Sequence, residues 1–499
     1  MPSSRRKKQL KMLQLSNLLR LFAKRHEVSC LAKENQDTFV LSATYPLIDI
    51  PDADEFLSLL RVIPSRDKTE VGFKSESGDA SLSEFTTEKC SEFLEIIRRS
   101  VQLDATMSDD TENEYTLSVS IIKGVENDTR TLYSLEAFTD FLEGIPLGQK
   151  LSVFRNLLAH NHVSFQLASS TEEFKTQSID ASLSPGGSGV SVVRDGILRK
   201  RAEICHFGNA GEYPLIPDDF YLVKRSSNDR FNALMDGLFF IFSLVSIADI
   251  SSINGDVLSV RINGYKVVSE DIPFGSIVDV KTDELYKIHT WVYEGGNISD
   301  KIGIVRNLIT LYSRSGLLHM EEGIHSAAMS NFEIYLKENI GRYLDTKNTV
   351  TTKILELSQK CVSYTESFSS TFKQSVFAIS SFFITIIVLA AIDKEKYGKI
   401  FTHDVKIVSG VLIAISFAHL IFTILEYNKK CDRFKDEYEY LKECYSDVLD
   451  PKDIQRIFKN DEVYRKDSKH LQDELARYSL LWMLVLCFLL IAVLTTSCS

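Results

Sequence analysis

Side chains capable of nucleophilic or metal chemistry crowd into two stretches of this chain. Glu203, Cys205 and His206 precede Asp218 and Asp219, and His319 and His325 flank Met320-Glu321-Glu322. A thiol beside an imidazole is the pairing that covalent catalysis uses, and the same groups ligate metals. Neighbours on a strand point to opposite faces, however, so Cys205 and His206 are not expected to meet. The second pair of histidines lacks the HExxH spacing of a metalloprotease helix. Ser184-Pro185-Gly186-Gly187-Ser188-Gly189 is not followed by the Lys-Ser/Thr pair of a phosphate-cradling loop. The eight cysteines form no CxxC pair. Kinase, dinucleotide-binding and GxSxG patterns are absent from the sequence. No metal site and no cofactor are expected.

Residues Gln149–Asn161 have the pattern of a helix that carries Arg155, Asn156 and His160. Arg155-Asn156-Leu157-Leu158-Ala159-His160 resembles the Arg–polar–x–x–x–His motif of HEPN ribonucleases. The resemblance covers six residues. It implies that His160 transfers protons, Arg155 stabilises the scissile phosphate and Asn156 supports them. HEPN domains are helical bundles, whereas strand patterns flank this helix on both sides.

The elements around these residues divide the chain in two. Gln374–Ile392 and Ile407–Leu425 are each 19 residues without a charge, and Tyr478–Ser499 is also uncharged. A helix rises about 1.5 Å per residue, so 19 residues span about 28 Å, close to the thickness of a bilayer core. Three membrane helices are expected. Gly237–Ala248 is apolar but has only 12 residues, too few to span, and is expected to be a buried core helix.

The apolar pattern continues beyond these spans. Tyr427, Cys431, Phe434, Tyr438, Leu441, Tyr445 and Val448 follow the second span at alternating four and three. Asp450-Pro451 breaks the run, and Ile457, Tyr464, Leu471 and Tyr478, with Leu475, lead into the third span. Val350, Ile354, Leu357, Cys361, Tyr364 and Phe368 approach the first in the same way. Such stripes are buried against one another in packed or coiled helices. Within the second span, Gly410, Ala414 and Ala418 form a small-residue face for close helix packing, with His419 beside it. A neutral His419 hydrogen-bonded between helices is the expected reading, and so sparse a polar lining argues against an ion carrier.

The N-terminal part has mixed patterns. Strands are expected at Phe39–Leu41, Tyr115–Lys123, Val163–Leu167 and Lys287–Tyr293. A hairpin is expected at Val257–Val268 around Asn263-Gly264, and helices at Glu84–Val101, Leu135–Glu143 and Lys301–Ser313. Arg5, Arg6, Lys7, Lys8 and Lys11 lie above an amphipathic stretch of Leu15, Leu18, Leu19 and Phe22, a candidate surface for anionic lipid. The net charge of −11 argues against a nucleic-acid partner.

The expected fold is an α+β soluble N-terminal region followed by an all-α membrane module, three transmembrane helices that continue into a cytosolic helical stalk. Its parts are an α+β domain (1–168), a flexible linker or loop (169–192), a second α+β domain (193–325) and a stalk helix (326–373). Spans at 374–392, 407–425 and 478–497 follow, with a helical hairpin at 426–477. The N-terminus lacks a secretory h-region, and the hairpin carries twelve Lys and Arg, so both are expected inside, in an inner (cytoplasmic) membrane. The function expected is a non-enzymatic effector or signalling subunit whose sensor region acts on an oligomerising membrane bundle. Its partners would be lipid and a second copy or another protein. The layout looks like bacterial antiviral systems that fuse soluble sensors to terminal membrane helices. A membrane-tethered HEPN-like ribonuclease and a channel or transporter component are the alternatives.

Overall fold

A computed structural model describes residues 15–23, 29–107, 114–167, 172–184, 194–278, 282–313, 316–392, 402–447 and 449–495. It divides into two compact units, residues 1–334 and 335–499.

The first unit opens with α1 (Leu15–Arg20) and an antiparallel sheet of β1 (Cys30–Glu34), β2 (Thr38–Tyr45), β3 (Lys68–Lys74), β4 (Asp79–Leu82) and β5 (Tyr115–Ile122), in the order β1-β2-β5-β3-β4. In β2 and β5, inward residues alternate with outward ones, the period-two signature of a half-buried strand. Helices α2 (Ala53–Leu60) and α3 (Thr87–Met107) cover the inward face, and Phe56, Phe93, Val71 and Leu117 form its core. Leu15, Leu18, Leu19 and Phe22 are buried in that same core. The apolar side of the N-terminal helix is therefore spent on the fold rather than presented to lipid. Arg5, Arg6, Lys7, Lys8 and Lys11 lie outside the described residues.

A second core begins at Leu132 and runs to Ala328. It holds a mixed sheet of β6 (Thr129–Leu132), β7 (Val163–Leu167), β8 (Phe174–Lys175) and β9 (Ile179–Ser182), ordered β6-β7-β9-β8. Two of these strands fall inside the stretch expected to be a linker, 169–192. Phe174, Ile179 and Ala181 are buried there, so the two cores meet near Leu132 and Tyr133 instead. Helices α4 (Leu135–Gly144) and α5 (Leu147–Leu157) lie between β6 and β7 along the chain, and α6 (Arg194–Ile204) follows β9. The remaining sheet joins β10 (His206–Phe207), β11 (Ile250–Asn254), β12 (Val257–Asn263) and β13 (Val267–Pro273). Helix α7 (Asp229–Val245) holds the 12-residue apolar run as far as Val245 and is buried from Gly237 to Val245, as a core helix must be when it is apolar all round.

Two sequence expectations need correction. Lys287–Tyr293 is helical, within α8 (Thr282–Tyr293), because its buried residues Leu285, Ile288, His289 and Val292 repeat at three and four rather than two. The turn at Asn263-Gly264 is not a two-residue turn, since Asn263 pairs with Val267. Gly264 answers a different need: a Cβ there would fall 2.3 Å from the Arg306 carbonyl oxygen on α9 (Ile298–Tyr312). The two-residue turn lies one hairpin earlier, at Gly255-Asp256 between the paired Asn254 and Val257.

Buried charge joins the two cores. Glu34 forms an ion pair with Lys123 and accepts the backbone N–H groups of Tyr133 (2.9 Å) and Ser134 (2.6 Å) at the head of α4. The Tyr133 hydroxyl donates to Asp67 at 2.6 Å. Burial pushes the Glu34 carboxyl up, against the pull of Lys123 and the two N–H groups.

The second unit consists of helices. α10 (Ile324–Ile392) begins in the first unit and ends in the first apolar run. α11 (His403–Ser446), the short α12 (Pro451–Ile457) and α13 (Glu462–Thr495) follow. α10, α11 and the last helical stretch are each long and apolar enough to cross a membrane, by length and composition. Phe377, Phe422 and Phe488 are more than two-thirds exposed, apolar surface that water would not tolerate in such quantity. Together these features point to a membrane protein. Outside the apolar runs, Val350, Leu357, Cys361, Phe434, Tyr438 and Leu471 form one buried cluster, with Ile354, Tyr364, Cys431, Leu441, Tyr445 and Tyr464 against it. These are residues of the predicted stripes; Val448 lies outside the described residues.

Candidate functional sites

Helix α5 ends at Leu157, short of the expected Asn161, and the chain turns through Asn161 at φ +68°. Arg155 and His160 therefore do not share a helical face. The Arg155 guanidinium lies 3.3 to 3.4 Å from the Asn156 side-chain oxygen and 3.4 Å from the Glu212 carbonyl. His160 Nδ1 sits 2.7 Å from Asp128 Oδ1, on a side chain that is 77% exposed. Arg155 and Asn156 thus meet each other, whereas His160 pairs with Asp128.

The second sequence cluster is taken apart by the fold. The Cys205 thiol is buried, donates to the Ser246 carbonyl at 3.4 Å, and is pushed up to about 11 by burial. That is the setting of an inert structural thiol rather than a nucleophile. His206 faces outward on β10. Asp219 is fully buried, where it pairs with Arg194 and accepts from Ser178 at 2.6 Å and the Ile216 N–H at 2.9 Å. Asp218 meets His289 Nε2 at 2.8 Å. Among the described residues no group of three or more His, Cys, Asp or Glu side chains is arranged to hold a metal ion.

In the membrane-length helices, Ser409, Ile413, Ser416, Leu420 and Thr423 make the buried side of α11. Gly410, Ala414 and Ala418 lie off that side; Ala414 and Ala418 are exposed, and a Cβ at Gly410 would meet nothing within 4 Å. The small-residue face thus looks away from the chain's own helices. His419 is also exposed, with its ring edge-on to Trp482 at 5.5 Å.

One cavity was not legible from any motif. It measures about 540 Å³ and lies among α7, α8, the 317–319 turn and the start of α10, with Phe240, Leu285, Ile288, Leu318, Met320 and Ile324 on its walls. Glu284, His319 and Glu321 supply its polar groups. Glu284 Oε1 also accepts the N–H groups of Gly323 (3.1 Å) and His325 (2.9 Å), which are orphan donors at the head of α10. Gly323 has φ +92°, a conformation open to glycine, and this turns the chain into the helix. The wall comes from segments far apart in sequence, each unremarkable by itself. Compared with known proteins, the chain matches no family model, no curated protein and no solved structure.

Proposed function

We propose that this protein is a membrane-anchored effector or signalling subunit. Its N-terminal α+β unit senses a ligand or partner on the cytosolic side of an inner membrane, and the helical stalk conveys that state to an oligomerising bundle of three spans. The observation that supports this reading most is the continuity of α10. One uninterrupted helix starts at residues packed in the N-terminal unit and finishes in the first apolar run. α11 and α13 likewise carry a packed hairpin directly into apolar runs. A change at the head of α10 shifts the bundle only if the ligand binds two stalk states with different affinity. The outward Gly410, Ala414 and Ala418 face supplies the contact between copies. Bacterial antiviral defence is the setting in which such a layout would serve.

Disulfide cross-linking of Ala414→Cys in native membranes tests the reading, in a background where Cys444, Cys487 and Cys498 are serine. The full chain should yield a cross-linked dimer. Asp345→Pro, which breaks α10 at an exposed position, should insert normally but change that yield at least severalfold. Equal yields from both chains would refute the coupling, and no dimer in either would refute association through this face.

A further inference from the structure

We infer that the cavity at the head of α10 is a binding site for a compact hydrophobic amine. Its volume of about 540 Å³ is in the range of small-molecule sites, and its walls follow their usual plan of apolar side chains with a few polar groups. The polar groups decide the charge of the ligand. Glu284 and Glu321 both line the cavity, and the described residues of its wall include no lysine or arginine. A carboxylate ligand would face two like charges, and a neutral hydrocarbon would offer neither of them a partner. An alkylammonium group satisfies them, while its hydrocarbon body fills the space between Ile288, Leu318 and Met320. Glu284 is held in place by the two N–H groups it accepts from Gly323 and His325, so little ordering is required when the cation arrives. The binding claim stands on the cavity; only its consequence for the spans rests on the coupling proposed above.

The test is calorimetric titration of the full chain in lipid nanodiscs, with empty nanodiscs as the blank, using adamantylamine, adamantanol and adamantane carboxylate. These probes share one hydrocarbon cage and differ in charge. The amine should bind saturably, one per chain, with the alcohol about tenfold weaker and the carboxylate weaker still. Glu284→Gln keeps an oxygen for the helix head but removes the charge; with Glu321→Gln it should erase the preference for the amine. Leu318→Trp, a half-buried position, should fill the cavity and abolish binding. Equal binding of the three probes, no binding of the amine, or unchanged binding by Leu318→Trp would each overturn the inference. The cross-linking experiment is read without any amine, so the two proposals fail separately.

Discussion

Trp482 donates its indole N–H to the Ser416 hydroxyl oxygen at 3.2 Å, and Ser375 meets the same oxygen at 3.2 Å. One residue from each apolar helix thus converges on a single polar point, with Trp482 fully buried. Phe372 and His419 border the indole at 5.9 and 5.5 Å between ring centres. Hydrocarbon offers the indole N–H no substitute partner, although an unpacked helix can find others, which keeps the net value of such bonds small. Ser416→Ala should cost about 0.6–1.7 kcal/mol. Trp482→Ala, which also leaves a cavity, should cost about 3–5 kcal/mol. Unfolding of the chain in mixed micelles would measure both, and equal costs would show that packing contributes nothing beyond the hydrogen bond.

Arg194 and Asp219 provide a sharper case, because the pair is buried with each member also satisfied by neighbours. Arg194 donates to the Pro214 carbonyl at 2.8 Å, and Asp219 fixes the Ile216 N–H. Replacing Asp219 with Ala leaves a buried guanidinium uncompensated, at about 3–5 kcal/mol. The double variant Arg194→Met/Asp219→Leu should recover a large share of that loss. Thermal denaturation of the two variants makes the comparison, and a double variant as unstable as the single one would contradict it.

A pH dependence follows from the hairpin. Asp461 accepts from the Tyr438 hydroxyl at 2.7 Å and pairs with Lys442 at 2.9 Å, which together hold its carboxyl below the usual range. Lys360 and Arg433 do the same for Glu437. A carboxyl depressed in the folded state takes up its proton in the unfolded state first. Its stabilisation is therefore complete above the ordinary carboxylate range and is lost as pH falls through it towards the folded value. Asp461→Asn isolates the effect, since asparagine tolerates the residue's φ of +64°. The difference in melting temperature between the chain and Asp461→Asn should be full near pH 6 and should close below about pH 4. A difference that widened on acidification would reverse the assignment.

Legibility in the sequence followed the range of the forces involved. The stripe from Val350 to Phe368 and its partners are legible because helix packing repeats at fixed spacing, and each of these residues that the structure describes is buried or half-buried. Gly237–Ala248 is legible as a core segment because twelve apolar residues are too few for a bilayer yet too many for a surface. Lys287–Tyr293 reads as a strand in the sequence because Ile288, Thr290 and Val292 alternate with polar or amphipathic residues, and helix and strand periods coincide over so short a run. Two-residue strands such as Phe174–Lys175 exist only through their neighbours and leave no periodic trace. The cavity at Glu284 is assembled by tertiary contact alone. For the same reason, the Arg155 to His160 spacing carried no information about where α5 would stop.

Cysteine reactivity tests the hairpin and the membrane sidedness together. Cys361 is buried in the cluster of Val350, Phe434 and Leu471, donates to the Asp467 carbonyl at 3.2 Å, and is pushed up to about 11 by burial. Against an ordinary thiol, such a group holds roughly a hundredfold less thiolate at neutral pH, and burial denies the reagent access as well. Cys444 is exposed in the same hairpin. A maleimide at pH 7 should therefore modify Cys444 rapidly and Cys361 at least about a hundredfold more slowly, with Cys361 becoming reactive once the chain is unfolded. In sealed inside-in cells an impermeant maleimide should leave Cys444 untouched until the membrane is opened, because the hairpin's lysines and arginines favour the inner side. Labelling of Cys444 in intact cells would reverse the topology, and fast labelling of Cys361 in the folded chain would mean that the three stripes do not pack.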